Sequence, residues 1–139
     1  MLETNKVYQM DVLRFLDKLD DNSIDLAIID PPYNMKQGYW DTFGSEKEYF
    51  DFMYKWIDKL LPKMKKSGSI YLFNNQYNSA LIVNHLKDKN VFFKNWITWY
   101  KKDGFCSTKK KYINNQEVIL FYTMNEKKYL FNSDEVRVP

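Results

Sequence analysis

Short apolar runs alternate along this chain with stretches whose apolar residues recur every three or four positions, the two periodicities of strand and helix. Residues 6–9 predict a short strand. Residues 11–19 predict a helix, with Val12, Leu13, Phe15, Leu16 and Leu19 on one side and Asp11 as its N-cap. A polar turn follows at 20–23. The run Ile24–Ile29 then reads as a buried parallel strand. It stops at Asp30-Pro31-Pro32-Tyr33, because two prolines cannot continue a ladder.

Residues 34–44 form a loop holding Gly38 and Gly44. Ser45 with Glu48 is a capping box, and it opens a helix to about residue 61 with Phe50, Met53, Tyr54, Ile57 and Leu61 on one stripe. Pro62 and Gly68 close that region. Residues 69–73 predict a strand, 79–86 a helix, 91–100 a long aromatic strand and 117–123 another; 129–131 could add a short one. The order β-α-β-α-β-α-β-β predicts an α/β sheet whose last strands form an antiparallel hairpin. The chain shows no repeat and no interdomain linker, so residues 1–139 read as one domain.

Composition narrows the field. The longest apolar runs are a few residues, far below the roughly 18–20 a membrane span needs, and the N-terminus lacks the apolar core of a secretory signal. One cysteine, Cys106, permits no internal disulfide and fits a reducing cytoplasm. One histidine, His85, removes most histidine chemistry, so no metal site is expected. His85 reads as a surface or core-edge residue. Residues 101–111 hold five lysines against one aspartate, a local +4 within a total of +3, so the rest of the chain carries −1. A basic loop on a near-neutral body predicts a localised anionic partner.

The candidate chemistry lies in the tetrad after Ile29. Ligands of open α/β sheets bind beyond the carboxyl ends of the strands, so Asp30 is placed for work there. Pro31 and Pro32 fix the backbone beside it, and Tyr33 offers a flat apolar face with a polar tip.

D-P-P-Y after I-D-L-A-I-I resembles the catalytic motif of amino-group DNA methyltransferases. The segment VYQMDVLRFLDKLDDNSIDLAIIDPPYN resembles the opening of the group in which that motif comes first in the chain. YWDTF, SGSIYLFN, NWITWYKKDG and NQEVILFYT are similar to the MboII-type adenine methyltransferases. The resemblance implies a Rossmann-like methyltransferase sheet and methyl transfer from S-adenosylmethionine to the N6 amine of an adenine flipped out of double-stranded DNA. It implies that Asp30 and the Pro31 carbonyl accept hydrogen bonds from that amine, and that Tyr33 stacks on the base. It also places Asp11 and Val12, with Asp30, near the cofactor, and an aromatic of the 99–100 region in the base pocket. Trp99 and Tyr100 face opposite ways on a strand, and Trp99 is the better candidate. Lys101, Lys102, Lys109, Lys110 and Lys111 then read as phosphate contacts in a DNA-facing loop over about 101–116.

The chain departs from the family in one respect. No Phe-x-Gly-x-Gly-type segment for the methionine end of the cofactor is present among its four glycines. The 139 residues therefore read as the leading half of a longer enzyme, acting as a homodimer or with a complementing C-terminal half. The alternatives are a non-catalytic nucleic-acid-binding remnant, and a cytosine-N4 or RNA amino-methyltransferase.

Overall fold

The computed structural model describes residues 2–102 and 109–138. Four strands form one mixed sheet: β1 (Ile24–Ile29), β2 (Met64–Asn74), β3 (Phe92–Tyr100) and β4 (Gln116–Thr123). Their spatial order is β1-β2-β4-β3. β1 and β2 are parallel, while β4 lies antiparallel to both β2 and β3. The fold is α/β, and the antiparallel hairpin is β3–β4.

Three helices precede or link these strands: α1 (Val12–Asp17), α2 (Glu46–Leu60) and α3 (Gln76–Leu86). Each begins where the sequence offers a cap. The Asp11 carboxylate accepts from the amides of Leu13 and Arg14, Ser45 Oγ from that of Glu48, and Asn75 Oδ1 from that of Asn78. The Glu48 side chain closes the second cap by accepting from the Gly44 amide at 3.1 Å.

The three helices share one face of the sheet. α1 packs on α2, and α3 packs on β2 and β4. Tyr54 of α2 stacks on His85 of α3 at 3.9 Å between centroids. Asp58 of α2 accepts from His85 at 2.8 Å and Lys89 at 3.0 Å. Beneath them Met53, Ile57, Leu72, Ile82, Val118 and Leu120 form the buried core. The pairs Leu72–Leu120 and Ile70–Tyr122 are directly opposite across the β2–β4 ladder, so alternation commits their neighbours to the other face.

That other face is thinly covered. Tyr71 stacks on Phe121 at 4.6 Å, and Phe131 lies over Phe121 at 6.0 Å. Leu26 and Ile28 of β1 remain 52% and 68% exposed. β1 is an edge strand, not the strand buried on both faces that its apolar run predicts. Among the described residues nothing pairs with its outer side.

Two predicted strands are absent among the described residues. Residues 6–9 have no ladder partner, and Val7 is 99% exposed. Residues 129–131 make no ladder either; their apolar rings instead pack on Phe121. No helix among the described residues is long and apolar enough to cross a membrane.

Candidate active site

β1 ends at Ile29, and Asp30-Pro31-Pro32-Tyr33 turns away from the sheet at the carboxyl ends of β1 and β2. A cleft of about 390 Å³ opens there, lined by all four residues with Trp40, Trp99, Lys101 and Glu117. Its size suits a small ligand. The Tyr33 hydroxyl donates to Asp30 Oδ1 at 2.8 Å and lies 3.5 Å from Glu117 Oε2. Burial, the bond to Asp30 and the negative charge of Glu117 all push the Tyr33 phenol well above its ordinary range. It is therefore a neutral hydrogen-bond donor at any physiological pH.

The opposite wall comes from β3 and β4. Trp99 and Glu117 are direct partners across the β3–β4 ladder, so both side chains emerge on the thinly covered face. Trp99 stands edge-on to Phe73 at 6.1 Å. Lys101 forms an ion pair with Glu117 and places its ammonium 5.0 Å above the Trp99 ring. The cleft thus brings the carboxylates of Asp30 and Glu117 together with the aromatic side chains of Tyr33, Trp40 and Trp99. Tyr100, on the other face, is 63% exposed and does not line it.

The turn itself is held from two directions. The Asp41 carboxylate is buried and accepts four backbone amides. Oδ1 takes Tyr33 at 2.7 Å and Asn34 at 2.8 Å; Oδ2 takes Met35 at 2.9 Å and Gln37 at 3.2 Å. On the other side, the Tyr49 hydroxyl donates to the Pro32 carbonyl at 2.9 Å, and Asn78 Nδ2 donates to the Tyr33 carbonyl at 2.9 Å. Asn74 donates to the Tyr49 oxygen at 2.9 Å and accepts from Asn78 at 2.9 Å. Burial pushes the Tyr49 phenol up to about 12, with the bond from Asn74 acting the other way.

The structure therefore brings Asp30, Pro31, Pro32, Tyr33, Trp99 and Lys101 together. Lys101 differs from the outward phosphate contact its sequence suggests. Its amide continues the ladder to the Asn115 carbonyl at 2.6 Å, and this fixes its side chain over Glu117. Lys102, Lys109, Lys110 and Lys111 are exposed beyond the cleft. Gly104, Cys106 and Ser107 lie outside the described residues.

Asp11 and Val12 do not reach the cleft. Asp11 uses one carboxylate oxygen for the α1 cap. Val12 lines a separate groove of about 280 Å³ along β1, with Phe15, Leu26 and Ile28. Sequence reasoning missed Asp41, Tyr49, Asn74, Asn78 and Glu117. Glu117 had a signal: it is the one charged residue in an apolar strand. Asp41 lies within YWDTF, but nothing in that segment points to its role, because its partners are backbone amides.

Among the described residues no cluster of three or more histidine, cysteine, aspartate or glutamate side chains could hold a metal ion. Nor does any described glycine adopt a left-handed conformation, and a Cβ at Gly68 would meet the carbonyls of Lys65 and Ile24 within the sheet, not an open cradle.

An α/β sheet carrying D-P-P-Y at a strand's carboxyl end, beside an aromatic cleft, defines a class of protein. Residues 24–139 match the N6_N4_Mtase family, described as DNA methylase, and the chain belongs to it. It is 49% identical over 139 residues to the type II methyltransferase M1.MboII of Moraxella bovis, covering 100% of this chain and 53% of that protein. It is 30% identical over 139 residues to the DNA adenine methyltransferase YhdJ of Escherichia coli (strain K12), covering 98% of this chain and 47% of that one. The chain thus spans about half the length of these curated relatives. The crystal structure of the M1.HpyAVI–SAM complex shares the fold, with a TM-score of 0.66 at 20% identity over 95% of this chain and 60% of that one.

Proposed function

We propose that this chain supplies the catalytic part of an S-adenosylmethionine-dependent DNA methyltransferase of a restriction–modification system, acting on the N6 amine of adenine. The observation that carries the reading is the Asp30 carboxylate lining a cleft together with Tyr33 and Trp99. A flat base enters such a cleft only after leaving the duplex stack, which supports base flipping. Asp30 and the Pro31 carbonyl then accept the two N–H bonds of the amine. Holding both hydrogens in one plane leaves the nitrogen lone pair to point out of it. Tyr33 and Trp99 grip the base faces, and the ion-paired Lys101 and Glu117 line the cleft beside them. The name of the adenine-specific relative, and aspartate where the family's cytosine enzymes more often have serine, support adenine over cytosine.

S-adenosylmethionine, when bound, supplies the electrophilic methyl group. The described residues fit only one border of it. The groove along β1 offers an apolar wall that reaches Ile29, whereas no described glycine provides the close backbone approach its methionine end requires. The bare β1 edge and the exposed Leu26 and Ile28 support docking of a complementing C-terminal half, with a second copy of the chain as the alternative. Lys102, Lys109, Lys110 and Lys111 are the proposed phosphate contacts. The partial cofactor fit favours one second reading, a nucleic-acid-binding module without activity of its own.

The deciding experiment is methyl transfer to duplex DNA by the chain combined with a complementing half. Asp30→Ala should abolish single-turnover transfer while DNA binding persists. Near-normal transfer by that variant would overturn the assignment.

A further inference from the structure

The buried Asp41 carboxylate accepts four amides, and those amides belong to Tyr33, Asn34, Met35 and Gln37, the residues that follow Pro32. We propose that Asp41 is a positioning residue of the catalytic turn: it fixes the backbone from which Tyr33 is aimed at the base. The proposal rests on the base-pocket reading of the cleft.

Three observations support it. First, Asp41 is 2% exposed, and both its oxygens are used twice. A buried carboxylate is costly unless every lone pair is engaged, and here the donors are all main-chain. Second, the loop it gathers is one that L-residues resist. Asn34 and Lys36 sit at φ 57° and 60°, in the left-handed region, and neither is glycine. Backbone bonds from Lys36 N to the Asp41 carbonyl at 3.1 Å, and from Asp41 N to the Gly38 carbonyl at 3.0 Å, wrap the same loop around the same residue. Third, Tyr49 and Asn78 hold the carbonyls of Pro32 and Tyr33 from the opposite side. With carbonyls held by the core and amides held by Asp41, the backbone that carries Tyr33 is restrained from both sides. Small misplacements at a reacting centre sharply slow a reaction, so such immobilisation serves function.

The test uses the 139-residue chain combined with its complementing half, in wild-type, Asp41→Asn and Tyr33→Ala forms. Asn is nearly isosteric but turns an N–H₂ group toward two of the four amides. Hydrogen exchange at Tyr33, Asn34, Met35 and Gln37 should accelerate on the order of tenfold or more in Asp41→Asn, while Leu72 and Leu120 in the sheet keep their protection. Stacking is read separately, by quenching of 2-aminopurine deoxyriboside fluorescence. Wild type should quench saturably, and Asp41→Asn should weaken binding about as far as Tyr33→Ala, roughly tenfold or more. Should Asp41→Asn not fold, the double variant Asp41→Asn/Lys36→Gly removes one left-handed penalty and is measured in its place. Unchanged exchange at the four amides overturns the proposal. Faster exchange with unchanged nucleoside binding overturns it too, since Asp41 would then serve the loop alone. A wild-type chain that leaves the nucleoside unquenched overturns the base-pocket reading itself, a result distinguished by needing no substitution.

Discussion

The face of the sheet under α2 and α3 and the face opposite differ in what their side chains touch. On the first, Leu72, Val118 and Leu120 meet helices and are buried almost completely. On the second, Leu26 and Ile28 meet solvent, and Trp99 and Glu117 line a cleft. The two rows are set by the same ladder, one residue apart. The covered face holds the fold together. The open face is where ligands and partners have room, so polar chemistry and uncovered apolar area both gather there.

That contrast is broken most forcefully at Leu120. Leu120→Ala opens a cavity in a packed layer and should cost about 2–5 kcal/mol of unfolding free energy, measured by urea denaturation. Ile28→Ala on the open face should cost within about 0.5 kcal/mol. Equal losses would show that the open face is as tightly packed as the other.

The next effect is in binding, not stability. Tyr33→Ala should lose roughly tenfold to a hundredfold in base binding, from a stacking energy of about 1–3 kcal/mol, with little change in melting temperature. Tyr33→Phe keeps the ring and gives up only the hydroxyl's contacts with Asp30 and Glu117, so it should retain most of the affinity. Equal damage from the two would assign the role to the hydroxyl.

Neutralising Lys109, Lys110 and Lys111 to glutamine should weaken DNA binding irrespective of sequence, in the chain combined with its complementing half. It should flatten the log–log salt dependence by about 0.9 for each phosphate that the lysines had neutralised. An unchanged slope would remove these lysines from the DNA interface.

The smallest effect belongs to the covered side. Burial pushes the Asp58 carboxyl up, but hydrogen bonds from His85 and Lys89 outweigh it and leave the group below its ordinary 3.8. A depressed carboxylate stabilises the fold above its unfolded-state value. That contribution fades as pH falls from 3.8 through the lower folded-state value. Asp58→Asn should thus slightly lower stability near neutrality and leave it nearly unchanged once the pH is low enough to protonate the carboxyl in both folded and unfolded states. Because Asp58 is 43% exposed, solvent screening keeps the difference small.

Much of the fold is legible in the sequence, for local reasons. The bounds of β1, and the caps of α1 and α2, follow from residues whose preferences act within one turn: Pro31 and Pro32, Asp11, Ser45. The faces of β3 are legible as well, since alternation alone separates Trp99 from Tyr100. What the sequence hides is pairing at a distance. The run IDLAII reads as buried on both faces, yet burial depends on neighbours, and β1 has one ladder and one layer. Lysines look alike on paper, but Lys101 follows a strand end opposite Glu117 and folds inward. Asp41 is the hardest case. A carboxylate that serves backbone amides leaves no partner side chain to find.

The insertion of β4 between β2 and β3 also bears on how the chain is made. β2 pairs Ser69 with Thr123 and Asn74 with Val118, so its second edge waits for a strand synthesised about fifty residues later. β3 emerges in between and has no earlier strand to join, since its ladder partner among the described residues is β4. At about 5–20 residues per second, the ribosome leaves β2 half-paired and β3 unpaired for seconds before both are closed at once. Closure at that sequence distance is slow, because the chain must give up loop entropy before pairing can offset it. The growing chain is therefore most exposed to mispairing between the release of residue 100 and that of residue 123, and a holdase acting on nascent chains would find its apolar strand in β3.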